Sequence, residues 1–310
     1  MKKTILKLSA ASVGVLGCVN QYIDSYAEKI EPKSRLKYYN WEHGSIFYTV
    51  SGSGKPLLLI HDLNVFSSGN DWTETAKILS KYYKVYTIDL PGCGKSDKPA
   101  ITYTNYYFVQ MITSFIKNMI QEKTIVVSSG ISSSFVLMAD SMDDDLIDGI
   151  HMIDPPSLNS LKKQPDQRSK ILTTLFKIPV IGRTCYYIAT NRTNTEYYLS
   201  EKCFYNPFHM KQYHVKAAYQ ASHYQKGKGR YLYASLEGNY VNTDITRVLK
   251  NRNKKTVLVI SEGEHDAKEI AKNYRKINEA IAIKPVKNAK KLPQLEVPEE
   301  ICGIILNEKE

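Results

Sequence analysis

Cysteine is scarce and scattered. Cys18, Cys93, Cys185, Cys203 and Cys302 are five in 310 residues, an odd number with no CxxC pair. That pattern argues against a disulfide framework and against a zinc site, both of which need paired or clustered ligands. There is no internal repeat and no low-complexity linker. Acidic residues are few beside basic ones, 31 against 42, for a net charge of +11. From Pro156 to Lys255 there are 5 acidic and 18 basic residues, so the whole excess sits in the middle third. Those basic residues follow no nucleic-acid-binding pattern, which excludes nucleic acid as a partner. Two readings stay open, a solvated lysine-rich face or a surface that meets anionic headgroups or another polyanion. Hydrophobic content of 43% with 11% aromatics excludes wholesale disorder. A chain of this length can bury one large core, with room for an inserted subdomain.

Long hydrophobic runs are also missing. The N-terminus opens MKKTILKLSAASVGVLGCVNQYIDSYAEK, where three lysines precede a 12-residue apolar run from Leu8 to Val19. A spanning helix needs about 20 such residues, whereas a signal-peptide core needs fewer. Ser25-Tyr26-Ala27 offers a cleavage site, and Val15-Leu16-Gly17-Cys18 loosely resembles a lipoprotein box. The expectation is a membrane-directing or signal-like segment over residues 1–27, with the protein membrane-associated or exported. The alternative is an amphipathic helix lying on the fold of a cytoplasmic protein.

Short apolar runs then alternate with helical spacing. Strands are expected at Ile46–Val50, Pro56–Ile60, Lys84–Asp89, Thr124–Ser128, Ile150–Asp154, Thr256–Ile260 and Ala280–Val286, with Gly52-Ser53-Gly54 as a hairpin turn between the first two. Helices are expected at Trp72–Tyr82, Thr104–Gln121, Ser132–Ala139, Lys268–Glu279 and Pro298–Asn307. This alternation predicts an α/β fold, a mostly parallel twisted sheet flanked by helices. Residues 156–255 are helical, rich in tyrosine and lysine, and interrupt the rhythm. They read as a cap inserted above the carboxyl edge of the sheet, where ligands of such sheets bind. The core is then 28–155 with 256–310.

Asp89-Leu90-Pro91-Gly92-Cys93-Gly94-Lys95-Ser96 ends in GKS, as a phosphate loop does. That loop needs glycine where Asp89 stands and a helix after GKS, but Asp97-Lys98-Pro99 follows, and proline disfavours helix in the residue before it. A nucleotide-binding role is excluded. The segment DLPGCGKSDKP instead resembles the loop after the fourth strand of α/β-hydrolases. In order along the chain, LLLIHDL (Leu57–Leu63), TVLVISEGEHD (Thr256–Asp266) and LPQLEVPEE (Leu292–Glu300) resemble that family's oxyanion turn, acid loop and histidine segment. The resemblance spans about Gly44 to Ile305 and is least specific in the cap.

The resemblance implies a nucleophile on a strand–turn–helix elbow, a histidine that takes its proton, and a carboxylate that orients the histidine. In VVSSGISSSF (Val126–Phe135), one register puts Gly130 at the nucleophile position, with Ser128, Ser129, Ser132 and Ser133 where small residues are wanted. The competing register puts Ser132 there, at the cost of Phe135 where helix and strand cross closely. The family segment aligns Lys291 with the histidine. Asp266 falls at the acid position, free to pair with Lys291, and Asp154 at an alternative acid site. His265 adjoins Asp266 but points away from it in an extended loop. The oxyanion amides fall at Leu63 and Ile131. Asp62 replaces the usual glycine after His61, and its carboxylate opposes an oxyanion if it turns inward. Other histidines (His43, His151, His209, His214, His223) read as structural or surface groups.

With two of three triad members missing, the expected function is an α/β-hydrolase relative that has given up serine-hydrolase chemistry. It would bind a small apolar ligand between core and cap, where Tyr186, Tyr187, Tyr197, Tyr198, Tyr219, Tyr231 and Tyr233 are available. The alternative is an active esterase-like hydrolase acting on an ester-like substrate through Ser132. A third reading makes the basic cap the working face, toward a membrane surface or a partner. No cofactor and no metal are implied.

Overall fold

A computed structural model of the chain describes the backbone of residues 2–27 and 36–307. The expected boundary at residue 28 falls against 28–35, and the expected end of the core reaches 308–310. Both stretches lie outside the described residues.

Among the described residues eight strands form one sheet: β1 (Tyr38–Trp41), β2 (Gly44–Ser51), β3 (Pro56–Ile60), β4 (Lys84–Ile88), β5 (Thr124–Ser129), β6 (Ile147–Ile153), β7 (Thr256–Ser261) and β8 (Ala282–Val286). Their order is β1-β2-β4-β3-β5-β6-β7-β8. The β1–β2 and β2–β4 pairs are antiparallel and every later pair is parallel. The hairpin expected at Gly52-Ser53-Gly54 is not one, because β4 lies between β2 and β3. Gly52 has φ +77, and a Cβ on it would stand 2.2 Å from the Ser80 carbonyl oxygen. The glycine permits a close backbone crossing there, which local sequence does not distinguish from a turn.

Helices cover both faces. They are α1 (Lys2–Ala27), α2 (Thr73–Leu79), α3 (Asn105–Phe115), α4 (Ser132–Met142), α5 (Leu158–Leu161), α6 (Gln167–Lys177), α7 (Pro179–Ala189), α8 (Arg192–Tyr197), α9 (Gln212–His223), α10 (Arg230–Glu237), α11 (Thr246–Asn251), α12 (Ala267–Ile277), α13 (Pro293–Glu296) and α14 (Pro298–Leu306). After α3 the expected long helix widens into a π turn over Ile116–Ile120. Successive strand side chains point to opposite faces, and β3 shows this at full burial. Leu58 and Ile60 pack in the layer that holds Phe108 and Phe135, while Leu57 and Leu59 pack with Trp72, Val257 and Ile301. Helices α5 to α11 lie between β6 and β7, and Phe176, Tyr186, Tyr187 and Leu232 from them join the first layer.

The apolar run Leu8–Val19 forms the middle of α1. Among the described residues no helix is long and apolar enough to cross a membrane. Instead α1 docks on α7. Asn20 Nδ2 donates to the Val180 carbonyl at 3.2 Å and to Thr184 Oγ1 at 3.1 Å. Arg183 Nη1 stands 2.9 Å from Asp24 Oδ2, and the Tyr187 hydroxyl donates to the other carboxylate oxygen.

Candidate active site

β5 runs into α4 through Gly130 and Ile131. Gly130 has φ +57, in the left-handed region that favours glycine. Its N–H donates to the Ile153 carbonyl at 2.9 Å, which ties the turn to the end of β6. The serines around it are used locally. Ser132, fully buried, donates its hydroxyl to the His61 carbonyl at 2.7 Å. Ser128 donates to Ser133 Oγ at 3.1 Å, and Ser134 donates to the Ile131 carbonyl at 2.7 Å.

The loop after β3 comes alongside this turn. His61 is buried, and burial pulls its basicity down. Its Nε2 accepts the Leu90 N–H at 3.0 Å, and its Nδ1 lies 2.6 Å from the Asp62 carbonyl. That arrangement places the proton on Nδ1 and makes the ring an anchor for the loop.

Asp62 turns inward. Its Oδ1 accepts the Ile131 N–H at 2.9 Å, and the Leu63 N–H also bonds to this carboxylate. Both amides expected to hold an oxyanion therefore hold the protein's own carboxylate. A Cβ on Gly130 would stand 1.9 Å from Asp62 Oδ1. The carboxylate occupies the space that a side chain on the elbow would need. Burial raises its pKa, against the opposing effect of nearby Lys291 and of the two amides.

A cleft of about 290 Å³ opens beside the elbow. Gly130, Asp62, Asp154 and Lys291 all line it, as do Glu264 and Asp266. Asp154 follows β6 with φ +44 and accepts from the Ser261 N–H at 2.7 Å and the Ser261 hydroxyl at 2.5 Å. Burial raises its pKa from 3.8 to about 7, more than the Ser261 bonds lower it. The folded protein thus holds a proton there that the unfolded chain has already lost, and stability falls as pH rises from about 4 to about 7. Asp154→Asn keeps an acceptor for the Ser261 N–H and suits a positive φ. It should flatten this dependence and leave the variant more stable than the parent above the window, as measured by urea unfolding across pH. An unchanged pH profile would remove Asp154 as its source.

Two expectations are corrected at the loop after β7. Asp266 does not pair with Lys291, and His265 does not point away from it. His265 Nδ1 lies 2.6 Å from Asp266 Oδ1, and both side chains are exposed. The loop is a tight turn that feeds α12 rather than an extended segment, so adjacent side chains meet. Carboxylate and ammonium are brought close instead through Asp62 and Asp154, each of which feels Lys291. Glu264 is the lining residue that sequence reasoning missed, because nothing in Gly263-Glu264-His265-Asp266 marks which carboxylate turns inward. Between the loop after β3 and residues 198–218 lies a space of about 40 Å³, lined by Asp62, Phe66, Tyr198, Cys203, Phe204 and Lys291 among others. A larger one of about 590 Å³ opens between Asp89, Gly94 and Lys95 on one side and Ala217, Gln220 and Tyr224 on the other. Of the cap tyrosines, Tyr186 donates to the Ser222 carbonyl, Tyr187 is taken up by Asp24, and Tyr197 is exposed. Among the described residues no three His, Cys, Asp or Glu side chains are grouped to hold a metal ion.

The sheet and the helices around it have counterparts among known proteins. Residues 55–176 match the family described as "alpha/beta hydrolase fold". A serine hydrolase of carbazole degradation superposes with a TM-score of 0.72 at 16% identity, covering 88% of this chain and 97% of that one. The chain belongs to the α/β-hydrolase fold. The epoxide hydrolase CorEH shares this α/β-hydrolase architecture, with a TM-score of 0.72 at 14% identity over 88% of this chain and 97% of its own. In sequence, the chain is 35% identical over 99 residues to 2-hydroxy-6-oxo-6-(2'-aminophenyl)hexa-2,4-dienoic acid hydrolase of Metapseudomonas resinovorans. That match takes in 30% of this chain and 34% of the relative, so the chain spans about a third of the relative's length.

Proposed function

We propose that this α/β-hydrolase-fold protein has given up Ser-His-Asp acyl transfer and works by binding a small ligand in the cleft beside Gly130. The reading rests on one observation above all, the Asp62 carboxylate seated on the Ile131 N–H where an elbow side chain and an oxyanion would go. Acyl transfer needs donors that are free when negative charge develops on the substrate oxygen, and a fixed carboxylate both occupies and repels that position. The remaining assignments belong to the same proposal. Gly130 holds the nucleophile position, Lys291 the histidine position, Asp154 or Asp266 the acid position, and residues 156–255 form the cap.

The ligand is placed in the cleft because the cleft opens onto Gly130, whereas the larger space of about 590 Å³ between core and cap is not lined by the elbow. The cleft offers Leu63, Ile131, Ile260 and Ile270 as apolar walls, with the carboxylates at one side. The relatives named above are hydrolases, which favours a small organic ligand. Beyond the cleft, the basic cap is proposed to face an anionic surface, argued below.

Hydrolysis through Ser132 is the competing reading, and its hydroxyl is buried and already donated to the His61 carbonyl. A fluorophosphonate probe should leave the folded protein unlabelled, read by intact mass. Labelling mapped to Ser132 would overturn the proposal in favour of an active esterase.

A further inference from the structure

Helix α1 turns Leu16, Asn20, Ile23 and Asp24 toward the fold, with Ile23 packed against the core, and leaves further apolar residues on its outer side. A surface helix ordinarily turns its apolar stripe to the core and its polar residues to water. Here the polar contacts with α7 run through Asn20 and Asp24 beside the inward Ile23, while Val15, Val19 and Tyr22 face outward. Val15 and Tyr22 are 64% and 75% exposed. The helices beside it repeat the pattern. On α7 the stripe Val180, Arg183, Thr184 and Tyr187 meets α1, and Ile181 and Ile188 on a neighbouring flank are exposed, Ile188 at 64%. Ile171 and Leu175 of α6, which packs against α7, are exposed as well.

Single exposed aliphatics are ordinary, but outward aliphatics on three neighbouring helices call for a cover. The surrounding charge says what kind. Beside α7, α6 with the loop before it carries exposed Lys162, Lys163, Arg168, Lys170 and Lys177 against a single acidic residue, Asp166. A protein partner would need a matched acidic and apolar groove. An anionic bilayer supplies both features at once, headgroups for the lysines and the acyl boundary for the aliphatics. No described helix can cross such a bilayer, so the contact lies in its surface.

We propose that α1, α6 and α7 form a docking face for an anionic phospholipid surface, with Val15, Val19, Tyr22 and Ile188 entering the headgroup region. The face is independent of the cleft at Gly130. Attraction to the headgroups brings the cap to the surface, and burial of the aliphatics holds it there, so binding weakens as salt screens the first of these.

The test uses the full chain and vesicles of phosphatidylcholine alone or mixed with phosphatidylglycerol, read by co-sedimentation. Binding is expected only with the anionic lipid and falls as salt is raised. Val15→Ser/Val19→Ser/Ile188→Ser should weaken it by at least about tenfold, since each exposed aliphatic contributes when buried. These positions are on the surface, and thermal unfolding of the variant checks that the fold is kept. No binding to anionic vesicles, or equal binding by the triple variant, would overturn the proposal. Concentration-dependent self-association without lipid, abolished by the same variant, would overturn it too and assign the face to a second copy. Asp62→Ala should leave vesicle binding unchanged, which separates failure of this face from failure of the cleft reading.

Discussion

Gly130→Ser is expected to destabilise the protein by about 3 kcal/mol and to confer no hydrolase activity. Two effects add. A residue with a Cβ costs about 1–2 kcal/mol in the left-handed region that Gly130 adopts at φ +57. Overpacking adds about 1–3 kcal/mol, because the new Cβ falls 1.9 Å from Asp62 Oδ1 and one of the two groups must move. If Asp62 is expelled, its carboxylate loses the Ile131 N–H and leaves that amide unpaired. The decisive comparison is the double variant Asp62→Gly/Gly130→Ser. Removing the carboxylate makes room, so the double variant should recover most of the overpacking loss, leaving a coupling of about 1–3 kcal/mol. Urea unfolding of the four proteins measures it. Additive losses would mean that the two side chains do not compete for one space.

Asp140→Ala is the other substitution with a large expected cost, about 3–5 kcal/mol. Asp140 lies near the end of α4 and Arg252 just before β7, with side chains only 6% and 3% exposed. The guanidinium donates to Asp140 Oδ2, and its Nε donates to Thr256 Oγ1 at 2.6 Å. Lys254 Nζ reaches the other oxygen of Asp140 at 3.1 Å. Burial pulls the pKa of Arg252 down to about 10, so at neutral pH the arginine is charged. Truncating Asp140 strands that charge, whereas Asp140→Asn keeps an acceptor and should cost less. Because α4 leads directly from the elbow, the pair also holds in place the helix that carries Ile131 into its turn. A loss below about 1 kcal/mol for Asp140→Ala would mark the pair as no better than a solvated surface bridge.

Much of the fold was legible because its central strands are buried on both faces. Leu57–Ile60, Val126–Val127 and Val257–Ile260 are continuous apolar runs, and a run of that length bounded by turn residues reads as a parallel strand. The turn at Gly130 is legible for a similar reason, a glycine between such a run and helical spacing. What failed to read depended on partners distant in sequence. Gly52 looks like a hairpin because nothing nearby reveals that β4 will pair between β2 and β3. Nothing near the N-terminal run shows that Asn20 and Asp24, just after it, will dock on partners 159 to 164 residues away. Asp62 was recognisable as out of place, but its direction was not. It turns inward because the elbow beside it carries no side chain.

The seating of Asp62 also constrains the order in which this site can be altered. In this geometry an inward carboxylate at 62 and a side chain at 130 exclude each other. A stepwise route to a serine at 130 that avoids this clash therefore passes through an intermediate in which both positions are bare and the Ile131 and Leu63 amides face an open space. Substituting 62 first leaves that nest vacant and ready for a small anion such as formate, whereas substituting 130 first meets a clash. The two changes commute on paper but not in the protein, and the route that empties the nest first avoids the overpacked intermediate.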